Sequence, residues 1–173
     1  MKTFILGLVF VFLSIFAVGF GFIFYGRTLP EAHHAELILD LHATPNRIWT
    51  LITDYSKMPE WLSEVKKVEE EKTTDGKTIT WMTDSHRQRL PFVTEEIIPE
   101  KRLVRKILEQ QSFFGGTWTF ELEPVSPTVT RFTIKEDGFI RPPLFRVMMK
   151  FSGGPEKSLH GFVGSLVQRL KKP

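Results

Sequence analysis

Residues 115–138 read GGTWTFELEPVSPTVTRFTIKEDG. Trp118, Phe120 and Leu122 share one face of an extended segment, because side chains on a strand alternate with period two. Pro124 to Pro127 hold a turn. Beyond it Thr130, Phe132, Ile134 and Glu136 share a face, while Arg131, Thr133 and Lys135 share the other. Two antiparallel strands with one buried and one wet face account for this pattern.

The same period runs upstream. Strands are expected over 64–73, 77–86, 89–98, 102–111, 115–124 and 128–137, with Asp75-Gly76 as a hairpin turn. Earlier, Leu37, Leu39 and Leu41 give one more strand over 35–42. Thr44-Pro45 then opens a helix, with Thr as N-cap and Pro at its first position. Ile48, Leu51, Ile52 and Tyr55 recur at helical spacing, and Ser56 and Pro59 break the run. A short turn follows with Trp61 and Leu62.

Downstream, Pro142-Pro143 precedes LFRVMMKF (144–151), then Gly153-Gly154-Pro155. From there Leu159, Phe162, Val163, Leu166, Val167 and Leu170 form the apolar stripe of a long amphipathic helix. The order of elements predicts an α+β fold, a curved antiparallel sheet wrapped around a long C-terminal helix.

The N-terminal segment is different. Residues 4–25, FILGLVFVFLSIFAVGFGFIFY, carry no charge. As a helix they span roughly 33 Å, enough for a bilayer core of about 30 Å. A secretory signal has an apolar core of about 7–15 residues ending at a small-x-small site. Here the run continues through Phe20, Phe22, Ile23, Phe24 and Tyr25, which favours an uncleaved single-pass anchor. Lys2 and the α-amino group ahead of the run favour N-in, domain-out. The expected organisation is an anchor over 1–27, a linker over 28–34 and one domain over 35–173.

The net charge of +3 is unevenly spread. Residues 28–140 carry 14 Lys/Arg against 19 Asp/Glu, and residues 141–173 carry seven against one. A basic C-terminal part on an anchored protein suits anionic headgroups. It equally suits a solvated helix face or the acidic remainder of the chain. No nucleic-acid-binding motif accompanies the basic residues, so nucleic acid is not an expected partner. The chain has no cysteine, which fits either side of a membrane.

ATPNRIWTLITDYSKMPEW (43–61), EEIIPEKRLVRKI (95–107) and the 115–138 segment together resemble the START-like, or SRPBCC, superfamily of polyketide cyclase/dehydrase and lipid-transfer proteins. The resemblance covers roughly residues 35–171; the apolar N-terminus is an addition to it. It implies a helix-grip fold with a hydrophobic cavity between the sheet and the C-terminal helix. It implies no single chemistry, because members bind lipids, sterols, quinones and polyketides and only some are enzymes.

The expected cavity lining is Trp81, Phe92, Trp118, Phe120, Phe132 and Ile134 from the sheet, with Phe162, Val163 and Leu166 from the helix. The competing expectation is that these residues fill a solid core. Gly161 and Gly164 leave room along the helix, with Gly164 placed toward the sheet. Arg105, Glu136, Asp84 and His86 are the candidate inward polar groups; an inward Arg105–Glu136 pair would orient a polar ligand head, and the competing expectation is a structural ion pair or edge charges in solvent. His33-His34 does not make a metal site, because adjacent side chains on an extended chain point to opposite sides. LFRVMMKF suits a membrane interface, a cavity mouth or packing on the sheet.

The reading that results is a membrane-tethered domain that binds a hydrophobic small molecule, lipid or isoprenoid-like, with no cofactor or metal. The alternatives are a cyclase/dehydrase-like enzyme and an interaction subunit docked on a membrane-protein partner.

Overall fold

The computed structural model describes the backbone of residues 2–74, 76–108 and 113–172, and the side chains of these except residues 2–6, 8, 9 and 11. Seven antiparallel strands form one sheet in the order β1-β7-β6-β5-β4-β3-β2. They are β1 (Ala32–Leu41), β2 (Val65–Lys72), β3 (Thr78–Asp84), β4 (Arg89–Ile98), β5 (Arg102–Ile107), β6 (Phe114–Ser126) and β7 (Val129–Ile140). The helices are α1 (Lys2–Thr28), α2 (Pro45–Thr53), α3 (Met58–Trp61), α4 (Pro143–Ser152) and α5 (Gly154–Leu170). The α+β helix-grip expectation therefore holds, with β1 closing onto β7 to bring the chain ends of the domain together. The Asp75 part of the expected hairpin turn and the 109–111 end of the expected fifth strand lie outside the described residues.

Local chemistry sets the boundaries. The Thr44 hydroxyl accepts from the Arg47 amide, capping α2 with Pro45 at its start. Between α4 and α5, Gly153 and Gly154 take φ of 108° and 70°. This left-handed region favours glycine, so consecutive glycines turn the chain sharply between the two helices.

The core lies between the sheet and α5. Leu103, Phe132, Ile134, Leu159 and Leu166 are sealed from solvent together with Ile48 and Ile52 of α2. The apolar alternation of β1, β6 and β7 feeds this side of the sheet, while Arg131 and Lys135 form ion pairs on the other face.

Helix α1 runs 27 residues and turns an exposed apolar surface outward, including Phe12, Phe16, Phe20 and Phe24. Among the described residues, no helix is long and apolar enough to cross a membrane. The last turn of α1 packs on the start of α4, where a Cβ at Gly26 would collide with the Pro143 backbone.

Candidate functional site

A cleft of about 260 Å³ opens between the sheet, the α2–α3 segment and α5. Ile52, Tyr55, Met58 and Leu62 form one wall. Met82, Leu90, Phe92, Trp118 and Phe120 form the sheet side, and Phe162 with Ser158 close it from α5. Glu64 and Asp84 also border it. Aromatic rings pack along its walls and behind them. Phe92 and Trp118 rings lie 5.6 Å apart, Phe120 and Phe162 5.5 Å, and Trp61 and Phe162 5.6 Å. The volume lies just under the usual range of about 300–1,000 Å³ for ligand sites, so it suits a compact group or one end of a longer chain.

Arg105 supplies the cleft's buried cation. Its strand alternation with Leu103 and Ile107 turns it inward, and it is only 3% exposed. The guanidinium stacks over the Tyr55 ring at 3.8 Å and lies 5.4 Å from the Phe92 ring. Its Nε and Nη2 have no hydrogen-bond partner. Burial pushes its pKa down, and Tyr55 and then Glu70 push it back up. An arginine remains charged in either case. The cleft therefore holds a fixed positive charge with free donors, an arrangement that costs free energy unless something accepts from them.

The expected lining residues fall into three groups. Phe92, Trp118, Phe120 and Phe162 line the cleft together with Arg105. Phe132, Ile134, Val163 and Leu166 are packed in the solid core behind it. Trp81 is on the far face of the sheet, because its neighbour Met82 points into the cleft and successive side chains alternate. There the Trp81 indole donates to Glu71 at 2.8 Å and stacks under Arg89 at 4.0 Å.

The expected Arg105–Glu136 pair does not form. Both residues face inward, but Trp118 stands between them in the register Arg105↔Trp118↔Glu136. Two strand spacings of about 4.8 Å separate their backbones. Glu136 instead pairs with His33 of β1 at 3.2 Å. Gly138 makes room for that histidine, since a Cβ there would strike the imidazole. His34 points the other way and meets Asp137 at 2.7 Å. Among the described residues no cluster could hold a metal ion.

Asp84 borders the cleft, but its Oδ1 accepts from the His86 and Gln88 amides at 2.8 Å each, and His86 itself is exposed. Gly164 faces open space rather than the sheet. Gly161 is the inward glycine, where a Cβ would lie 3.5 Å from the Glu64 carboxylate. Tyr55 is legible in the sequence only as an apolar helix position, and nothing in the periodicity singles out Met58. Both line the cleft from the short helical turns that follow α2.

A second opening of about 490 Å³ lies away from this cleft, between residues 29–33 and the α4–α5 junction. It is wider but lacks aromatic walls.

A family model described as polyketide cyclase / dehydrase and lipid transport matches residues 33–172. The chain belongs to that family. No curated protein matches the chain. Among solved structures it is similar to the Zhui aromatase/cyclase from Streptomyces, at 10% identity and a TM-score of 0.67 over 82% of this chain and 94% of the other. A START superfamily protein from Mycobacterium smegmatis is 18% identical, with a TM-score of 0.61 over 81% and 98%. Norcoclaurine synthase from Thalictrum flavum, in complex with dopamine and hydroxybenzaldehyde, is 13% identical with a TM-score of 0.61 over 87% and 92%. These likenesses establish the shared fold.

Proposed function

We propose that the domain binds an amphiphilic small molecule, its apolar part against Phe92, Trp118, Phe120 and Phe162 and its anionic or carbonyl head on Arg105. The observation that carries this reading is the buried guanidinium, whose Nε and Nη2 lack partners inside an aromatic cleft. An apolar wall with a few fixed polar groups is the usual form of a small-molecule site. A lipid or isoprenoid carrying a carboxylate, phosphate or ketone has the required chemistry. The family description, which includes lipid transport, supports the same class.

The domain acts tethered to a membrane through α1. The uncharged run at residues 4–25 and the exposed phenylalanines of α1 support this, since so much apolar surface is unfavourable in water. The proposed partners are therefore the bilayer and a hydrophobic ligand, with a membrane-protein partner as the alternative use of the same surface.

Native mass spectrometry of the detergent-purified full chain tests the binding reading. A co-purifying amphiphile that is lost in Arg105→Met supports it. A wild-type chain that carries nothing, and fails to take up an anionic fluorescent fatty acid, overturns it.

A further inference from the structure

The cleft and the core leave helix α4 unexplained. Leu144, Phe145, Met148 and Phe151 are 45%, 43%, 58% and 72% exposed. Positions 144, 148 and 151 follow helical spacing, so they form one face, with 145 at its edge. The half-buried Arg146 and Met149 lie on the opposite side, and the buried Val147 flanks the exposed face beside Phe151. An amphipathic helix normally turns its apolar stripe into the protein. This one seats Val147 on the protein and turns the rest of its apolar stripe to the outside.

Its place in the molecule is fixed at the end of α1. The Pro143 backbone sits against Gly26 so closely that no Cβ fits between them. Lys150 donates to the Tyr25 hydroxyl at 2.7 Å and lies 5.3 Å from its ring. Arg146 donates to the Leu29 carbonyl at 2.8 Å. These contacts pin α4 beside residues 25–29, where the apolar run ends and polar chain begins. Tyr at such a boundary and flanking Lys or Arg mark the headgroup layer of a bilayer. Residues 141–173 carry seven basic residues against one acidic, the charge complement of anionic lipid. Glu31, 3.7 Å from Arg146, is the acidic group beside this helix.

We propose that α4 lies in the headgroup layer of an anionic bilayer, with Leu144, Phe145, Met148 and Phe151 inserted toward the acyl chains. This rests on the reading of α1 as the membrane anchor. It adds a second contact that fixes the orientation of the domain. The Gly153–Gly154 turn joins α4 directly to α5, and Ser158 and Phe162 of α5 line the cleft. A membrane-seated α4 therefore sets how the cleft is presented to the lipid surface.

The chain has no cysteine, so single substitutions give unique labels. Full chain carrying Met148→Cys or Phe151→Cys, labelled with NBD, is reconstituted in phosphatidylcholine–phosphatidylglycerol vesicles and in phosphatidylcholine alone. Phe16→Cys reports on the anchor and Lys66→Cys, on the far edge strand β2, is the exposed control. The expected result is blue-shifted emission at 148 and 151, quenched by lipid bearing a nitroxide near the headgroup, and emission at 16 quenched by lipid bearing a nitroxide deep in the acyl chain. The effect should be stronger with phosphatidylglycerol and absent at 66. Quenching at 16 without quenching at 148 and 151 overturns this proposal and leaves the anchor standing. No quenching at 16 overturns the anchor and this proposal with it. Disulfide formation between two chains of unlabelled Phe151→Cys under an added thiol oxidant assigns the face to a second copy and overturns it as well.

Discussion

The Arg105 guanidinium lies 3.8 Å over the ring of Tyr55, a residue 50 positions earlier in the chain. The ring face offers the cation an electrostatic partner without using its hydrogens, so the donors stay available for a ligand. Removing the charge should thus separate binding from stability. Removing a buried charge whose donors have no partner removes its desolvation cost. Arg105→Met should melt at or above the wild-type temperature. Its affinity for an anionic fluorescent fatty acid should fall roughly 10–100-fold, the worth of a charged hydrogen bond of about 1.5–3 kcal/mol. Arg105→Lys should not restore it, because an ammonium lacks the planar fork that stacks on Tyr55. Differential scanning fluorimetry and probe titration on the full chain check both statements.

Core and cleft aromatics should respond differently. Phe132 is fully buried, and Phe132→Ala should cost about 3–5 kcal/mol in denaturant unfolding. Trp118 is only partly buried and faces the cleft. Trp118→Ala should cost less and enlarge the cleft, raising the relative affinity for bulkier probes. Equal losses of stability at the two positions would place Trp118 in the core instead.

Gly138 and His33 form a testable pair. Gly138→Ala should push the imidazole away from Glu136 and leave a buried carboxylate without its partner, a cost of about 1–3 kcal/mol. His33→Ala in the same chain should relieve the steric part, so the double variant should be more stable than the sum of the two single changes implies. A double-mutant cycle by urea unfolding measures this coupling.

The two glycines of α5 should also separate. Gly161→Leu places a side chain beside Glu64 at the cleft border and should reduce probe uptake. Gly164→Ala meets only open space, so it should leave uptake unchanged and raise stability by up to about 1 kcal/mol through helix propensity.

Periodicity made the strands and helices legible because each is a local pattern. Leu37–Leu39–Leu41, Trp118–Phe120–Leu122 and Phe132–Ile134 alternate as buried strands must, and the 159–170 stripe closes on them as α5. Period two also exposes the weakness of single-strand reading. A phase error of one residue moves a side chain through the sheet, and so Trp81 was expected beside the ligand while Met82 occupies that place.

The sequence by itself determined the element order, the two-faced sheet, the long closing helix and the inward position of Arg105, because these follow from alternation and spacing along the chain. Only the tertiary structure decided what each inward group meets. Strand register inserted Trp118 between Arg105 and Glu136, and the closing of β1 onto β7 gave Glu136 to His33. The break after α2 brought Tyr55 under the guanidinium. Partnerships of this kind join residues far apart in the chain, and they are set by which strands pair and how the helices turn, so no local pattern encodes them.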